Sequence, residues 1–439
     1  MTLKQIVKKI LPLNLYRKIE PYGHLLEAMI INLFNGFPGR KLKVIGVTGT
    51  NGKTTTTSMI YKMLLSSGYK VGLMSTIEWG INEDIHLQHE HYTNVPVNEL
   101  MSRLKLMKKA KVDWLVYEVT SHGLAQNRVW GVPFSVAVIT NISHEHLDYH
   151  RTFENYLQAK RKLFTLANKN KRGLRAGVVN ADDPNLVDFA KSVQNPITYG
   201  IQSGEMKAVS IEYKTSGSKY KAMVAGETYE INCHIPGSFN VYNSLASVAT
   251  GRIIGLNKEQ IEKGIDSLKS VSGRMTRIDE GQDFDVIVDF AHSPDSFEKL
   301  FKDLKPVLKG RLIVMFGSPG RRDEAKRFLQ GDLAGKYADL VILTEEDDRD
   351  VDGYKILDQI VEGVTKHGKV KDKDMFVVHD RVEAIKFTLS LGRKDDTILL
   401  LGKGHEQTIE RADGAHPWNE IATTRKLLKE LLKEKPTKS

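Results

Sequence analysis

Short β-rich runs alternate with longer stretches of helical periodicity along most of the chain after its first 40 residues. Strands that alternate with helices are typical of α/β layering over a mainly parallel sheet. In the first half, the pattern predicts strands at 43–47, 70–75, 113–119 and 134–140, and helices at 55–66 and 153–168. We therefore expect an α/β domain with a mostly parallel sheet there.

A second alternating series begins after Gly273. It predicts strands at 285–290, 311–316, 340–344, 375–378 and 397–401, and helices near 296–308 and 354–367. This series indicates a second, Rossmann-like open α/β domain.

These two series suggest how the chain divides. We expect a short basic N-terminal extension at 1–40, a central domain at 41–272 and a C-terminal domain at 273–439. Within the central domain, alternation between turn glycines predicts a small antiparallel insert at about 199–235.

The composition is that of a globular protein with two or three domains. Its 439 residues exceed one ordinary core. With 41% hydrophobic and 27% charged residues, the chain is unlike a disordered or membrane-spanning protein. A single cysteine, Cys233, excludes an internal disulfide framework and a cysteine-based zinc site, and it favours a reducing, cytoplasmic setting.

The net charge of +10 is concentrated at the two ends of the chain. Residues 1–43 hold eight Lys/Arg against two Glu, residues 425–439 hold six against two, and the body between them is neutral. A neutral body lacks the basic face of a nucleic-acid-binding protein, so we expect no such partner. The basic, partly apolar residues 1–40 indicate either packing on the protein's own body or contact with a membrane surface or protein partner.

The sharpest motif is the glycine-rich run from Gly46 to Thr54, between a predicted strand and a predicted helix. Its glycines let the backbone wrap a phosphate, Lys53 supplies positive charge, and the Thr54 hydroxyl can bind Mg²⁺. The run predicts a P-loop ATPase-type central domain that binds ATP through Gly49, Thr50, Asn51, Gly52, Lys53, Thr54 and Thr55. A phosphate loop alone leaves kinases, motors, GTPases and ligases open.

Further motifs follow in one unbroken order: 117–122 (YEVTSH), 140–150 (TNISHEHLDYH), 237–243 (GSFNVYN), 289–295 (DFAHSPD) and 402–406 (GKGHE). Together with the phosphate loop, this series closely resembles the Mur ligases over about residues 41–432, and within them the tripeptide synthetases of peptidoglycan synthesis. The resemblance implies a cytoplasmic, monomeric ligase that joins an amino acid to a muramoyl-peptide precursor. ATP phosphorylates the acceptor carboxylate to an acyl phosphate, the amine displaces the phosphate, and ADP and phosphate are released.

The resemblance also implies the catalytic and metal-binding residues. Thr54 and Glu118 would hold one Mg²⁺, His146 would hold a second, and Lys53 would act on the phosphates. Glu118 falls at the end of a predicted strand, where ligands gather in open α/β sheets.

Lys160 and the histidines near His146 allow other interpretations. Lys160 matches the lysine that the family converts to a carbamate, whereas by its pattern alone it belongs to a solvated helix face. His144, His146 and His150 could instead bind zinc, or they could be surface residues of a loop.

The remaining site residues follow from the resemblance too. It places Asn243, Arg274, Asp289, His292, Arg322 and Lys326 near the nucleotide. It assigns the muramoyl-peptide acceptor to Thr93, Asn94, Ser121, Gln126 and Arg128, and the incoming amino acid to Arg349, Gly402 and Glu406.

Three departures from the family pattern leave the substrates open. Residues 93–96 (TNVP) replace the usual Thr-Thr-Pro, which allows a different acceptor pocket. Residues 346–349 (EDDR) replace the motif Asp-Asn-Pro-Arg: the added acidic charge favours lysine, while Arg349 with Gly402 and Glu406 resembles the diaminopimelate enzymes. About 40 residues precede the phosphate loop, too few for the family's uridine-nucleotide-binding domain. We therefore expect the acceptor to be held differently, or a partner to supply the missing surface.

Other functions remain possible at this point. A folylpolyglutamate-synthase-like ligase would share the phosphate loop and the acyl-phosphate route. A P-loop kinase or regulatory NTPase would release phosphate without requiring an amino acid. A catalytically idle binding protein is a third alternative.

Overall fold

The computed structural model describes residues 13–88, 93–214 and 216–434, and the chain forms two compact units. The first unit comprises Met1–Glu212, Lys219–Cys233 and Phe239–Leu268. The second comprises Tyr213–Ser218, His234–Ser238 and Lys269–Ser439.

An eleven-stranded sheet forms the centre of the first unit. Its strands are β1 (Lys43–Thr48), β2 (Val71–Met74), β3 (Glu78–Ile81), β4 (Asp84–Leu87), β5 (Trp114–Glu118), β6 (Phe134–Ile139), β7 (Ala176–Asn180), β8 (Asn195–Gly200), β9 (Met206–Lys214), β10 (Gly217–Val224) and β11 (Glu227–Cys233). Their order is β11-β10-β9-β8-β7-β6-β1-β5-β2-β3-β4. The strands from β8 to β2 are parallel, as predicted, and β2, β3 and β4 form an antiparallel meander.

Helices connect and flank these strands. They are α1 (Leu13–Phe34), α2 (Lys53–Ser66), α3 (Val97–Lys109), α4 (Ser121–Ala125), α5 (Leu147–His150), α6 (Phe153–Lys169), α7 (Val187–Ala190), α8 (Ser238–Ile253) and α9 (Lys258–Ser267), with 3₁₀ turns at Pro38–Lys41 and Pro184–Leu186. Helix α6 begins where the Thr152 hydroxyl accepts a hydrogen bond from the Asn155 N–H. It buries Tyr156, Leu163 and Phe164 at helical spacing.

The segment predicted as a small insert is not separate from the main sheet. Strand β9 pairs with β8 in parallel, with Tyr199 opposite Met206, and β10 and β11 continue the sheet to its edge. Side chains along β10 alternate between buried and exposed, so one face is covered and the other is solvated. The alternation was recognised correctly, but it belongs to an extension of the sheet.

The second unit contains a six-stranded sheet in the order β12-β13-β17-β14-β15-β16 and a hairpin of β18 and β19. The strands are β12 (Thr276–Ile278), β13 (Asp285–Asp289), β14 (Leu312–Phe316), β15 (Leu340–Leu343), β16 (Met375–Val377), β17 (Thr397–Leu401), β18 (Thr408–Arg411) and β19 (Gly414–Pro417). The helices are α10 (Pro294–Leu304), α11 (Ala325–Tyr337), α12 (Gly353–Thr365), α13 (Arg381–Ser390) and α14 (Glu420–Glu434), with a 3₁₀ turn at Lys305–Val307. All strand pairs of the larger sheet are parallel except β12 with β13, which fits the predicted open α/β domain.

Helix α1 rests on the first unit through one face. Ala28 and Asn32 are buried, and the Asn32 side-chain amide donates to the backbone carbonyls of Ala28 and Trp130. Within the described part of the chain, no helix is both long and apolar enough to cross a bilayer. The contacts of Ala28 and Asn32 agree with the packing predicted for residues 1–40, of which residues 1–12 lie outside the described part of the chain.

Candidate active site

The phosphate loop joins the end of β1 to the start of α2, as the sequence predicts. Gly49 and Gly52 have positive φ angles of 149° and 80°. A Cβ atom at Gly49 would overlap the Thr140 hydroxyl, and one at Gly52 would overlap the Asn243 side-chain oxygen. Both positions therefore require glycine.

Thr140 and Asn141, which directly follow β6, fix the shape of this loop. The Asn51 N–H donates to the Asn141 side-chain oxygen at 3.1 Å, and the Thr140 hydroxyl donates to the Asn51 carbonyl at 2.6 Å. Lys53, at the start of α2, donates from Nζ to the Thr50 carbonyl at 2.7 Å. The loop is thus preformed, with a cation and a helix N-terminus at its end, which suits an anionic phosphate.

Glu118 ends β5 directly beside the phosphate loop, in register with Val47 of β1. Its buried carboxylate is held by one residue. Thr76 donates from its hydroxyl to Oε1 at 2.8 Å and from its N–H to Oε2 at 3.0 Å. The Thr76 hydroxyl also lies 2.9 Å from the Thr93 hydroxyl. Sequence reasoning missed Thr76, although its place just after the strand β2 is the available signal.

Asn94, expected to contact the acceptor, uses its side chain inside the protein. Its amide donates to the Glu118 carbonyl at 2.9 Å, and its oxygen accepts from the N–H and hydroxyl of Thr120. Arg128 in turn donates to the Asn94 carbonyl at 3.0 Å. The geometry gives Asn94 a positioning role at the end of β5.

Ser121 and Gln126 lie at the two ends of the short helix α4, and both are buried. The Ser121 hydroxyl is 3.1 Å from Nε2 of His150. The Gln126 side-chain oxygen has no hydrogen-bond partner among the described residues. A buried acceptor without a partner is rare, and a ligand N–H is one group that would satisfy it.

Lys160 is buried in α6, so the solvated helix face that its local pattern indicates is wrong. Its Nζ donates to the Gly49 carbonyl of the phosphate loop at 2.6 Å and lies 4.6 Å from the centre of the Tyr156 ring. Burial lowers the pKa of Lys160 well below 10.5, and the charge of Lys53 lowers it further, against the opposite effect of Glu145 and Glu118. Burial therefore disfavours the charged form of this amine relative to that of an exposed lysine.

The three histidines proposed as a zinc site do not form a compact ligand group. His146 has a φ of 56°, and its ring contacts that of His122 at 4.9 Å between centroids. His144 stacks instead on Phe153 at 4.4 Å. Among the described residues, one group brings three potential metal-ligand atoms close together. It consists of Glu345, Asp348 and His379 in the second unit. The zinc alternative receives no support from this geometry.

In the second unit, Asp289 ends β13 and organises a polar loop. Its two carboxylate oxygens accept from the N–H groups of Met275 and Ala291, each at 2.7 Å. Burial raises the pKa of Asp289, and the Arg274 guanidinium opposes that shift. These bonds fix the loop that carries Arg274.

Aromatic stacking collects the neighbouring residues around Phe290. The Arg274 guanidinium lies 4.5 Å from the centre of that ring, and the rings of His292 and His405 lie at 4.6 Å and 4.8 Å. Burial, followed by the charges of Arg274 and His292, lowers the pKa of His405 to about 3. His405 is therefore neutral, and sequence reasoning had given it no role.

Lys326 and Arg322 lie near the start of α11. Nζ of Lys326 donates to the His292 carbonyl at 3.5 Å, and burial lowers its pKa. Arg322 is exposed in the preceding loop. Arg274, Asp289, His292 and Lys326 are thus brought together within one unit, with Arg322 in the loop just before α11.

A buried group of alternating charges lies close to Lys326 in this unit. Lys403 is inaccessible to solvent and bridges Asp347 and Glu406, each at 2.7 Å. Burial opposes its charge, but the carboxylates of Glu406 and Asp347 raise the pKa of Lys403. Glu406, which we expected to contact the incoming amino acid, is therefore already paired with the Lys403 ammonium.

Glu346 belongs to the same group but differs from its neighbours. It is buried, and its Oε2 atom has no hydrogen-bond partner in the part of the chain that the structure describes. Burial raises the pKa of Glu346, whereas Lys326 and then Lys403 lower it. Gly402, with a φ of 103°, passes so close that a Cβ atom there would lie 2.7 Å from Oε2.

Arg349, expected to bind an amino-acid carboxylate, already has an acidic partner. Its Nε donates to Glu410 at 2.6 Å, and another of its nitrogens donates to the Gly320 carbonyl at 2.7 Å. Glu410 lies in the hairpin strand β18, which the sequence pattern did not predict. Arg349 and Glu410 can pair because the hairpin packs next to residues 346–349.

The fold and the phosphate loop define a P-loop enzyme that also carries an open α/β unit. Sequence profiles of two domains match the chain: the Mur ligase middle domain at residues 47–251 and the Mur ligase glutamate ligase domain at residues 273–404. The chain belongs to the Mur ligase family, whose members are ATP-dependent amide-bond-forming ligases.

Individual relatives agree with that assignment. A UDP-N-acetylmuramyl-tripeptide synthetase of Roseiflexus sp. (strain RS-1) is 36% identical over 423 residues, which cover 94% of this chain and 83% of the relative. A solved UDP-N-acetylmuramoyl-L-alanyl-D-glutamate–2,6-diaminopimelate ligase matches with a TM-score of 0.67 and 27% identity, over 94% of this chain and 83% of that one. A folylpolyglutamate synthase of Mycobacterium tuberculosis matches with a TM-score of 0.71, over 86% of this chain and 92% of that one. Its 16% identity makes this a likeness of fold.

Proposed function

We propose that this protein uses ATP to join an amino acid to a carboxylate of a muramoyl-peptide precursor in the cytoplasm. The observation that carries the proposal is the buried amine of Lys160, which donates to the Gly49 carbonyl of the phosphate loop and whose pKa is lowered by burial. A lysine on a solvated helix face would be exposed and would not contact the phosphate loop. Buried lysines with strongly lowered pKa values are characteristic of functional sites.

Two ATP-bound Mg²⁺ ions are implied by the family, and oxygen donors in the first unit suit them. The Thr54 hydroxyl and the Glu118 carboxylate are both buried next to the loop, and Mg²⁺ prefers oxygen ligands. His146, proposed for the second ion, offers a nitrogen instead. Bound Mg²⁺ would neutralise charge on the phosphates of ATP.

The loop residues would hold the nucleotide during two successive transfers. First, an acceptor carboxylate oxygen bonds to the γ-phosphorus, and the bond from that phosphorus to ADP breaks. Then the amino-acid amine attacks the acyl carbon, inorganic phosphate leaves, and the amine loses a proton. Lys53 and the N-terminus of α2 would stabilise the phosphate oxygens through both steps.

Lys160 would act as a carbamate. In its uncharged form, which burial favours, the amine can bond to the carbon of CO₂ and release a proton, which converts the side chain into an anion beside the phosphate loop. We expect activity to depend on bicarbonate and Lys160→Ala to regain part of its activity with a small added carboxylate. Intact-mass analysis under native conditions would detect the CO₂ adduct without any assay of activity.

Apart from Asn94, the expected acceptor and nucleotide residues keep their proposed roles. In the first unit, Thr93, Ser121, Gln126 and Arg128 would hold the acceptor, and the free oxygen of Gln126 would accept one of its N–H groups. Asn94 would position Glu118 rather than touch substrate. Nucleotide contacts would come from Asn243, Arg274, Asp289, His292, Arg322 and Lys326.

Charge near Gly402 favours an amino acid with a cationic side chain. Glu346 has a buried oxygen without a partner, which an ammonium group would satisfy. The guanidinium of Arg349 already pairs with Glu410, so a second substrate carboxylate would have to displace Glu410. We therefore propose lysine or a similar diamino monocarboxylate in preference to diaminopimelate.

An isotope experiment tests the central step. Oxygen-18 in the acceptor's carboxyl group should appear in the released phosphate, and product without label in the phosphate would refute the acyl-phosphate route. Phosphate release that needs both acceptor and amino acid would exclude a kinase or regulatory NTPase. Comparing folate with muramoyl dipeptide as acceptor separates the folylpolyglutamate alternative, and a panel of amino acids tests the preference for lysine.

A further inference from the structure

Helix α1 packs through one face against the rest of the first unit. This packing determines the direction in which the other face of the helix points. Besides the bonds of Asn32, the Asn127 side chain donates to the Pro21 carbonyl at 3.0 Å. Ala28 is completely buried on the same side. The opposite side of the helix must therefore face away from this unit.

That opposite side is strongly apolar. It carries six exposed residues: Tyr22, Leu26, Met29, Ile30, Leu33 and Phe34. Their spacing of three or four residues, with two adjacent pairs, places them on one broad stripe of a helix. Six of the sixteen large apolar side chains found exposed in the described residues fall within these thirteen positions, with Phe34 exposed by 84%. We call these six residues the α1 stripe.

Positive charge accompanies the α1 stripe. Residues 1–43 contain eight Lys/Arg and two Glu, whereas the body of the chain from 44 to 424 is neutral. Arg40 and Lys41, just after the helix, are both exposed. An apolar protein partner or a second copy of this chain would cover the stripe but would not account for this local excess of cations.

We propose that α1 binds the surface of an anionic lipid bilayer. The α1 stripe would enter the boundary between headgroups and acyl chains, while Arg40 and Lys41 would contact lipid phosphates. The helix would lie along the surface, since no helix in the described residues has the length and hydrophobicity to cross a bilayer. This inference is independent of the proposed ligase activity.

Sedimentation of the full chain with lipid vesicles tests the proposal. We expect binding to vesicles that contain phosphatidylglycerol, much weaker binding to pure phosphatidylcholine, and release by salt. Leu26→Glu with Leu33→Glu should abolish binding. Arg40→Glu with Lys41→Glu should weaken it by roughly 30-fold or more, since each cation near such a surface contributes about fivefold.

Val187→Glu is the matched control, because Val187 is also an exposed apolar residue of the first unit, at 61%. It should bind vesicles like the unchanged protein. Equal binding to both vesicle types, or equal loss in the Val187 control, would overturn the proposal. So would light scattering that shows a dimer dissociated by Leu26→Glu with Leu33→Glu, because the α1 stripe would then be an interface between copies. Since these residues are exposed, unchanged circular dichroism and ligase activity in vesicle-free buffer should accompany the lost binding.

Discussion

Replacing Thr76 by valine would remove one of the two hydrogen bonds that hold the Glu118 carboxylate. The valine has nearly the same shape, so the change is confined to the hydroxyl. In the structure this hydroxyl donates to Oε1 at 2.8 Å, and the Thr76 N–H still donates to Oε2 at 3.0 Å after the replacement. Glu118 would keep its place at the end of β5 but lose its fixed rotation.

The size of the effect follows from the charge on the acceptor. A hydrogen bond to a charged group contributes about 1.5–3 kcal/mol, and each 1.4 kcal/mol changes an equilibrium by about tenfold. Loss of a group that orients a metal ligand typically weakens metal binding by 10- to 100-fold. We therefore expect the Mg²⁺ concentration for half-maximal activity to rise roughly 10- to 100-fold in Thr76→Val.

The assay is phosphate release as a function of Mg²⁺ at saturating ATP, acceptor and amino acid. Thr76→Ser keeps the hydroxyl and should retain the unchanged Mg²⁺ dependence. Thr93→Val, which removes only the neighbouring hydroxyl, should alter the KM for acceptor more than the response to Mg²⁺. An unaltered Mg²⁺ dependence in Thr76→Val would show that Glu118 does not bind the metal.

Three further predictions concern the second unit. His405 has a folded-state pKa of about 3 and an unfolded value near 6.5, so the unfolded chain binds the extra proton, and stability is lost as pH falls through this range. The free energy of unfolding, measured with urea, should fall between pH 7 and pH 4.5, and this fall should be smaller by roughly 2–3 kcal/mol in His405→Gln. An equal fall in both proteins would contradict the assignment. Gly402→Ala should reduce activity at least tenfold, since its φ is unfavourable by about 1 kcal/mol or more and its methyl group would displace Glu346; a fully active variant would argue against a site at that glycine. Arg381→Met leaves the fully buried Glu420 without its ion pair and should cost about 3–5 kcal/mol in chemical unfolding, most of which the double change with Glu420→Met should restore.

Local sequence features predicted the fold class and the phosphate loop because both depend on short-range patterns. Strand β17 matches its predicted range of 397–401, and β1, β5 and β6 agree within one residue at each end. The glycines at 49 and 52 are required by the backbone itself, and they are visible as letters in the sequence. Of the helices in the described residues, the sequence pattern predicted α2, α6, α10 and α12, and it missed the others.

The tertiary structure alone decided the state of the charged side chains. Lys160 follows a pattern typical of a solvated helix, yet the packing of α6 buries its amine against the Gly49 carbonyl of the phosphate loop and lowers its pKa. In the sequence, Arg349 has the features of a cation available to a substrate carboxylate. In the structure, the hairpin β18–β19 brings Glu410, sixty-one residues later in the chain, into contact with it. Sequence determines which residues can ionise and where strands end, but burial and partners arise between distant segments, and those set the electrostatic free energy of each charge.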